Sequence, residues 1–568
     1  MNENNHNKEI QHQSIWNNLK KKVSIIWYFI CLNSIQFGLD FGILLTSSIV
    51  STYSYDDKTD QILITFQPNS FGLNQESAFA SILSIVIQLV IGSMSDNSHY
   101  KKGKRRIFVV VGCIIYVSFL VIYLLMMIVN YFTLKDNLNG SQTTTPLLKL
   151  LLISFTSLLI PLAIAFSNIM RVSYRAYILD EFDSEYQTSV YTMASFVSGF
   201  ARLCVGISQL IMWSVFISKF NDNSTTELSD ILVFCFKWQI GYIGISILLM
   251  PLCIYLFCKF AKETHFENDV DNNVYEDIIN SSKIKRNSSN NYMKSFCKCC
   301  CKCSTSIPKY FKQTKEDIKS LFKNSDWSLR IIILFTTIGW FYFYLSCYYH
   351  DGNLMSLTVS KEGNQWKRSY IIIIDNIIQS SMMIIGSVIM FISKKNSKYH
   401  CTFIFILTTF SCLLFYAVQD DFIDGNGWQQ FINYILSSIP MMLSSLLLAY
   451  LYSLPYAFLR DVVNESKFGV SVGIIYVVNS IISVISITFS SILKTSLCSS
   501  DIHCKNNEGF VLPSTIKTIV AYPIIFGLFG ILISRLLQHI KQDGEVIRYN
   551  QQMNFEILDE EISKEHEN

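Results

Sequence analysis

Apolar residues fall along this chain in long runs, and polar residues are confined to the intervals between them. Each run is close to the ~20 residues that carry a helix across the hydrocarbon core of a bilayer. In lipid a segment of that length must satisfy its own backbone hydrogen bonds, so each run predicts a helix. The predicted spans are 24–50, 76–94, 107–131, 147–170, 189–217 and 235–258, then, after one long polar interval, 329–349, 370–392, 402–418, 431–454, 468–493 and 515–537. The fold class expected is an all-α polytopic membrane protein with twelve transmembrane helices in two six-helix bundles. The expected organisation is a tail at 1–23, a first bundle at 24–258, a central loop at 259–328, a second bundle at 329–537 and a tail at 538–568. Lys20, Lys21 and Lys22 precede the first run, which carries no small-residue cleavage site and so reads as a retained span.

Composition agrees with a lipid environment. Half the residues are hydrophobic and 16% are charged, against about a quarter charged in a soluble domain. The net charge of +3 matters less than where the cations sit. With the N-terminus inside, Lys101, Lys102, Lys104, Arg105, Arg106, Arg171, Arg175, Lys394, Lys395, Lys398, Arg460 and Lys467 all fall in inner connections, and 419–430 outside has no Lys or Arg. Both tails and 259–328 are then cytoplasmic, with 259–328 read as a polar, flexible linker. The outer loops carry glycosylation sequons at Asn139 and Asn223, and a pair, Cys498 and Cys504, that an oxidising compartment would permit to bridge. The Cys297–Cys303 tract in the linker lacks paired zinc-finger spacing; reversible acylation and an unmodified reduced tract both fit it.

The densest charge lies between the second and third runs, in "GSMSDNSHYKKGKRRIF" (92–108). One reading is an inner-face anchor. The other is a cytoplasmic gate, in which Asp96 pairs with Arg105, Arg106 or a neighbouring helix end in one state and lets go in another. Gly92 would let a second helix approach closely. Ionisable groups within runs are costly and mark pairings or pathways. Asp40 lies in the middle of the first run and Asp375 early in the eighth. Each reads either as a proton-exchanging acid facing a cavity or as a hydrogen-bonded structural acid. Arg175 and Asp180 lie at the inner end of the fourth span and the turn beyond it, as a working pair or as a surface pair worth under ~1 kcal/mol.

The 92–108 stretch resembles the loop-two signature of major facilitator superfamily transporters. More narrowly, it is similar to that of the sucrose transporter-like branch of the glycoside–pentoside–hexuronide cation symporters, which includes animal proton-associated sugar transporters. The matching positions are Gly92, Ser95, Asp96, Gly103, Arg105, Arg106 and Phe108. "SIQFGLDFGILLTSSIVSTY" (34–53), "NIMRVSYRAYILDEF" (168–182), "GWFYFYLSCYYHDGNLM" (339–355) and "YSLPYAFLRDV" (452–462) resemble further stretches of that family. The resemblance implies a facilitator fold and alternating access. It also implies proton-coupled symport of a sugar, sucrose or a related glycoside or hexose. By match, Arg175 and Asp180 are implicated in sugar binding and proton coupling, and Asp351 stands where the family has an acid. Gln36 and Asn168 carry amides suited either to sugar hydroxyls or to helix contacts.

No Ser/His/Asp arrangement, metal constellation or glycine-rich nucleotide loop is present in the sequence, so an enzyme or an ATP-driven pump is not expected. The expected cofactor is none, with the proton as coupling ion. The expected partners are a small solute and the bilayer, without nucleic acid, and the expected location is a multi-pass place in the plasma membrane. A facilitator of another solute and a non-transporting sensor remain alternatives.

Overall fold

The computed structural model describes residues 26–46, 49–56, 61–68, 78–98, 104–138, 146–220, 228–261, 307–324, 327–358, 365–393, 396–418, 427–499 and 521–538. The chain is an all-α polytopic membrane protein apart from one short hairpin. The N-terminal set comprises α1 (Ile26–Leu32) and α2 (Ser34–Thr46), bent by 48° at Asn33, then α3 (Ala78–Asp96), α4 (Arg106–Leu138), α5 (Pro146–Glu181), α6 (Ser184–Phe220) and α7 (Leu228–Phe260). After α8 (Ile307–Asn324) comes a C-terminal set: α9 (Trp327–Thr358), α10 (Gln365–Ile392), α11 (Ser397–Val418), α12 (Gly427–Leu451), α13 (Leu454–Val462), α14 (Phe468–Ser499) and α15 (Ala521–Gln538). Among the described residues, nine helices are long and apolar enough to cross a bilayer, or ten with the bent α1–α2 pair.

Each of the twelve apolar runs falls on a helix, and two features depart from the sequence expectation. The first span stops at Thr46 rather than near residue 50, because Ile49–Asp56 (β1) pairs antiparallel with Gln61–Pro68 (β2), Tyr53 opposite Ile64. The β-branched and aromatic residues of both segments favour strands there. In addition, residues 307–324 of the interval read as a flexible linker are helical. Thr314, Asp317 and Leu321 are buried on one face, and Leu321 and Ile318 join the main hydrophobic cluster. Burial of that stripe holds the helix in place.

Within the N-terminal set α2 packs on α6 and α7, and α4 on α5 and α7; within the C-terminal set α12 packs on α9, α10 and α11. The sets meet along two seams, α3 against α14 and α6 against α10, with α13 wedged against α5 and α6. The α12–α13 break comes at Tyr452–Ser453, where Pro455 occupies the first turn of α13 and its ring needs no backbone N–H partner.

Candidate functional site

The α3–α14 crossing is close because glycines stand where the two backbones approach. A Cβ on Gly92 would lie 2.4 Å from the Gly469 carbonyl oxygen, and one on Gly473 would lie 2.6 Å from that of Gln88. Gly469 and Gly473 are four apart, so they form one small-residue stripe along α14.

This proximity brings the end of α3 to the start of α14. The Asp96 carboxylate accepts from the backbone N–H groups of Gly469 (2.8 Å) and Val470 (2.9 Å). A helix begins with unpaired N–H groups and a positive partial charge, so α3 caps α14 from another helix. Arg105 completes the junction. Its Nη2 donates to Asp96 (2.6 Å), its Nη1 to Ser95 Oγ (2.5 Å) and its Nε to Asp180 at the end of α5 (2.7 Å). The Arg105 side chain is fully buried and that of Asp96 1% exposed. Burial opposes the guanidinium charge, but Asp180 and Asp96 outweigh it and raise the Arg105 pKa above its usual value. Lys104 adds a second cation 3.5 Å from Asp180, and Arg106 Nη2 donates to the Cys258 carbonyl of α7 (2.8 Å).

At the same end, the α12–α13 break is tied across to the N-terminal set. Arg460 donates to the Leu179 (2.9 Å) and Phe182 carbonyls and pairs with Asp183 (3.1 Å). Ser453 Oγ donates to the Tyr191 carbonyl (3.0 Å). Arg175 Nη1 donates to the Tyr452 carbonyl (3.2 Å), and its guanidinium stands 4.8 Å from the Tyr456 ring centre and 5.1 Å from that of Tyr191. In this structure the two sets are therefore joined at the end that carries Asp96, Arg105 and Arg460.

Deeper between the helices, Asp40 of α2 accepts from Gln36 Nε2 (2.6 Å), from Ser198 of α6 and from Arg171 Nη2 of α5 (3.2 Å). Arg202 of α6 reaches from this layer towards the break, donating to Tyr452 Oη (3.1 Å). The arginine, the amide and the hydroxyl each supply this buried carboxylate with a hydrogen bond in place of a lost water contact. Arg202, inside the apolar run 189–217, was not singled out from sequence, and Arg171 was counted there only among the cations of the inner connections.

The remaining sequence candidates separate clearly. Asp180 bonds Arg105 rather than Arg175, although both belong to α5. Asn168 donates to Ser84 Oγ of α3 (3.0 Å) and to carbonyls of its own helix, so it joins two helices. Asp375 is buried in α10, next to Asn376, which donates to Gln209 of α6 (3.3 Å). Asp351 belongs to α9 and Cys498 to α14, but their side chains lie outside the described residues, as do Gly103, Asn139, Asn223, Cys504 and the Cys297–Cys303 tract. Among the described residues, no three His, Cys, Asp or Glu side chains gather as metal ligands.

No protein-family profile matches the chain, and no curated protein sequence is significantly similar to it. Solved structures are similar in helix arrangement. A bacterial homologue of the iron transporter ferroportin, in an outward-facing state with soaked iron, has a TM-score of 0.48 at 11% identity, covering 91% of this chain and 98% of that one. The major facilitator superfamily proton:xylose symporter XylE bound to 6-bromo-6-deoxy-D-glucose has a TM-score of 0.49 at 10% identity, covering 89% and 95%. The major facilitator superfamily transporter FucP in its outward conformation has a TM-score of 0.45 at 13% identity, covering 88% and 98%.

Proposed function

We propose that the chain is a secondary transporter of the major facilitator type that moves a small solute by alternating access. The observation that carries this reading is the trans-capped junction. Asp96 of one helix set satisfies the first N–H groups of a helix in the other, and Arg105 ties that carboxylate to a third helix. Every bond of the junction is one that water can replace, so the contact can exist in two states, made when this end is shut and hydrated when it opens.

For the solute we favour a sugar, sucrose or a related glycoside or hexose, on the motif resemblance at 34–53, 92–108, 168–182, 339–355 and 452–462. For coupling we favour a proton, taken up by Asp40. A proton on that carboxylate would weaken its pairing with Arg171 of α5. Such a link drives transport only because the two protonation states favour different conformations. Placement in the plasma membrane, cytoplasmic ends at the latch and glycans on Asn139 and Asn223 belong to the same proposal.

The test is uptake of radiolabelled sucrose and glucose into vesicles containing the purified chain, with and without an inward proton gradient. Gradient-stimulated uptake that becomes indifferent to pH in Asp40→Asn supports the coupling role. Uptake of either sugar that ignores the gradient in the unmodified protein removes symport, and absence of sugar flux alongside flux of another solute removes the sugar.

A further inference from the structure

The outer face of α8 has an order that its docked face does not require. Projected around the helix at 100° per residue, Phe311 and Phe322 stand together at one rim beside the buried stripe. Lys315, Lys319, Lys312 and Lys323 then form a band, and Glu316 closes the far rim. All seven are exposed, Phe311 by 48% and Phe322 by 37%. Two aromatic rings bordering a lysine band are the arrangement of a helix lying in a membrane interface, rings towards the acyl boundary and ammonium groups among the headgroups.

Independent observations set α8 at that depth. Trp327, 73% exposed, opens α9 three residues after α8 ends, with the Arg330 guanidinium 5.4 Å from its ring centre. An exposed tryptophan beside an arginine at the mouth of an apolar span marks the headgroup layer. On its other side, α8 meets the ends of two more spans. Asp317 accepts from Ser93 Oγ of α3 (2.7 Å) and from Asn97 Nδ2 (3.4 Å), and pairs with Lys467, which directly precedes α14. Three spans thus terminate at α8, and its lysines project from the same level.

We propose that the lysine band of α8 binds the headgroups of an anionic lipid leaflet, and that this contact steadies the Asp317 bridge beneath the latch. The positive-inside pattern turns this face towards the cytoplasmic leaflet, where anionic lipids concentrate. Because Asp317 joins α3 to the approach of α14, lipid charge would bear on the same seam that Asp96 caps.

The test is backbone hydrogen exchange of the full-length protein in nanodiscs of phosphatidylcholine alone or with one third phosphatidylserine. Exchange across 307–324 is expected to slow about tenfold in the anionic discs, as several surface lysines acting together would produce. The slowing should extend to 465–471 and disappear in high salt. It should also vanish in the quadruple variant K312Q/K315Q/K319Q/K323Q and return in the corresponding quadruple arginine variant, which separates charge from helix formation. Equal exchange in both discs, or a lipid response retained by the glutamine variant, overturns the binding. Equal slowing by inorganic phosphate in neutral discs would assign the band to free anions and overturn the leaflet as its partner. Slowing confined to α8 would overturn the link to the latch. The readout does not involve flux, so failure of the transport reading leaves it intact.

Discussion

Where α3 crosses α14, glycine meets backbone and buried charges complete the contact; where α6 crosses α10, glycine meets hydrocarbon. A Cβ on Gly92 would strike the Gly469 carbonyl, whereas a Cβ on Gly206 would meet Ile377 Cγ1 at 2.9 Å and one on Gly199 would meet Ile384 Cγ1 at 3.0 Å. In the second seam Asn376 donates to Gln209 across the crossing (3.3 Å). The first seam has geometry that is either formed or lost, because a carboxylate cap tolerates little drift. The second can slide, since apolar side chains exchange contacts with small changes in energy. Under the proposed alternating access, the first seam would serve as the latch and the second as the bearing.

The contrast can be broken most forcefully at its charged centre. Arg105→Gln leaves the Asp96 and Asp180 carboxylates without their shared cation, and removing one member of a buried pair costs about 3–5 kcal/mol. Thermal unfolding in neutral nanodiscs should show the loss as the largest drop in this series. A variant that melts with the unmodified protein would mean that water already occupies the junction. Gly92→Ala comes next, at about 1–3 kcal/mol for overpacking against backbone that cannot rotate away.

Gly206→Ala sharpens the comparison from the other seam. Ile377 can change rotamer to make room, so the expected cost is under about 1 kcal/mol, within the range of tolerated core changes. Equal melting shifts for Gly92→Ala and Gly206→Ala would erase the distinction between the seams. The smallest effect belongs to Asp183→Asn. Asp183 is 80% exposed where it pairs with Arg460, and a pair so open to water contributes at most a few tenths of a kcal/mol. Arg460 keeps its two carbonyl acceptors in that variant.

Much of the helical layout was legible because crossing a bilayer imposes a length and a polarity that few other structures share. The two elements that escaped were written in other periods. β1 continues directly from the first apolar run, so its strand signal merges with the end of a span, and the apolar part of β2 is too short to read as a span. The apolar stripe of α8 recurs at helical spacing but is diluted by lysine in an interval dominated by polar residues. At the site, Asp96 and Arg105 stand out as a motif nine residues apart, and the structure joins them. Asp180 also stood out, but in company with Arg175. A helical offset of five residues places the two side chains on different faces, and the tertiary arrangement sends one to Arg105 and the other into a ring of tyrosines.

By itself the sequence determined that this chain crosses a bilayer repeatedly. Transfer of apolar side chains and self-satisfaction of the backbone are local requirements, met residue by residue. It also determined that a few acids and arginines lie at expensive depth. Only the tertiary structure decided which charge answers which. Asp40 meets Arg171 across 131 positions of chain, and Asp96 caps a helix 373 positions away. Pairing energies depend on separations of a few ångströms that no local pattern encodes, and those separations exist only once the glycine-lined helices have closed on one another.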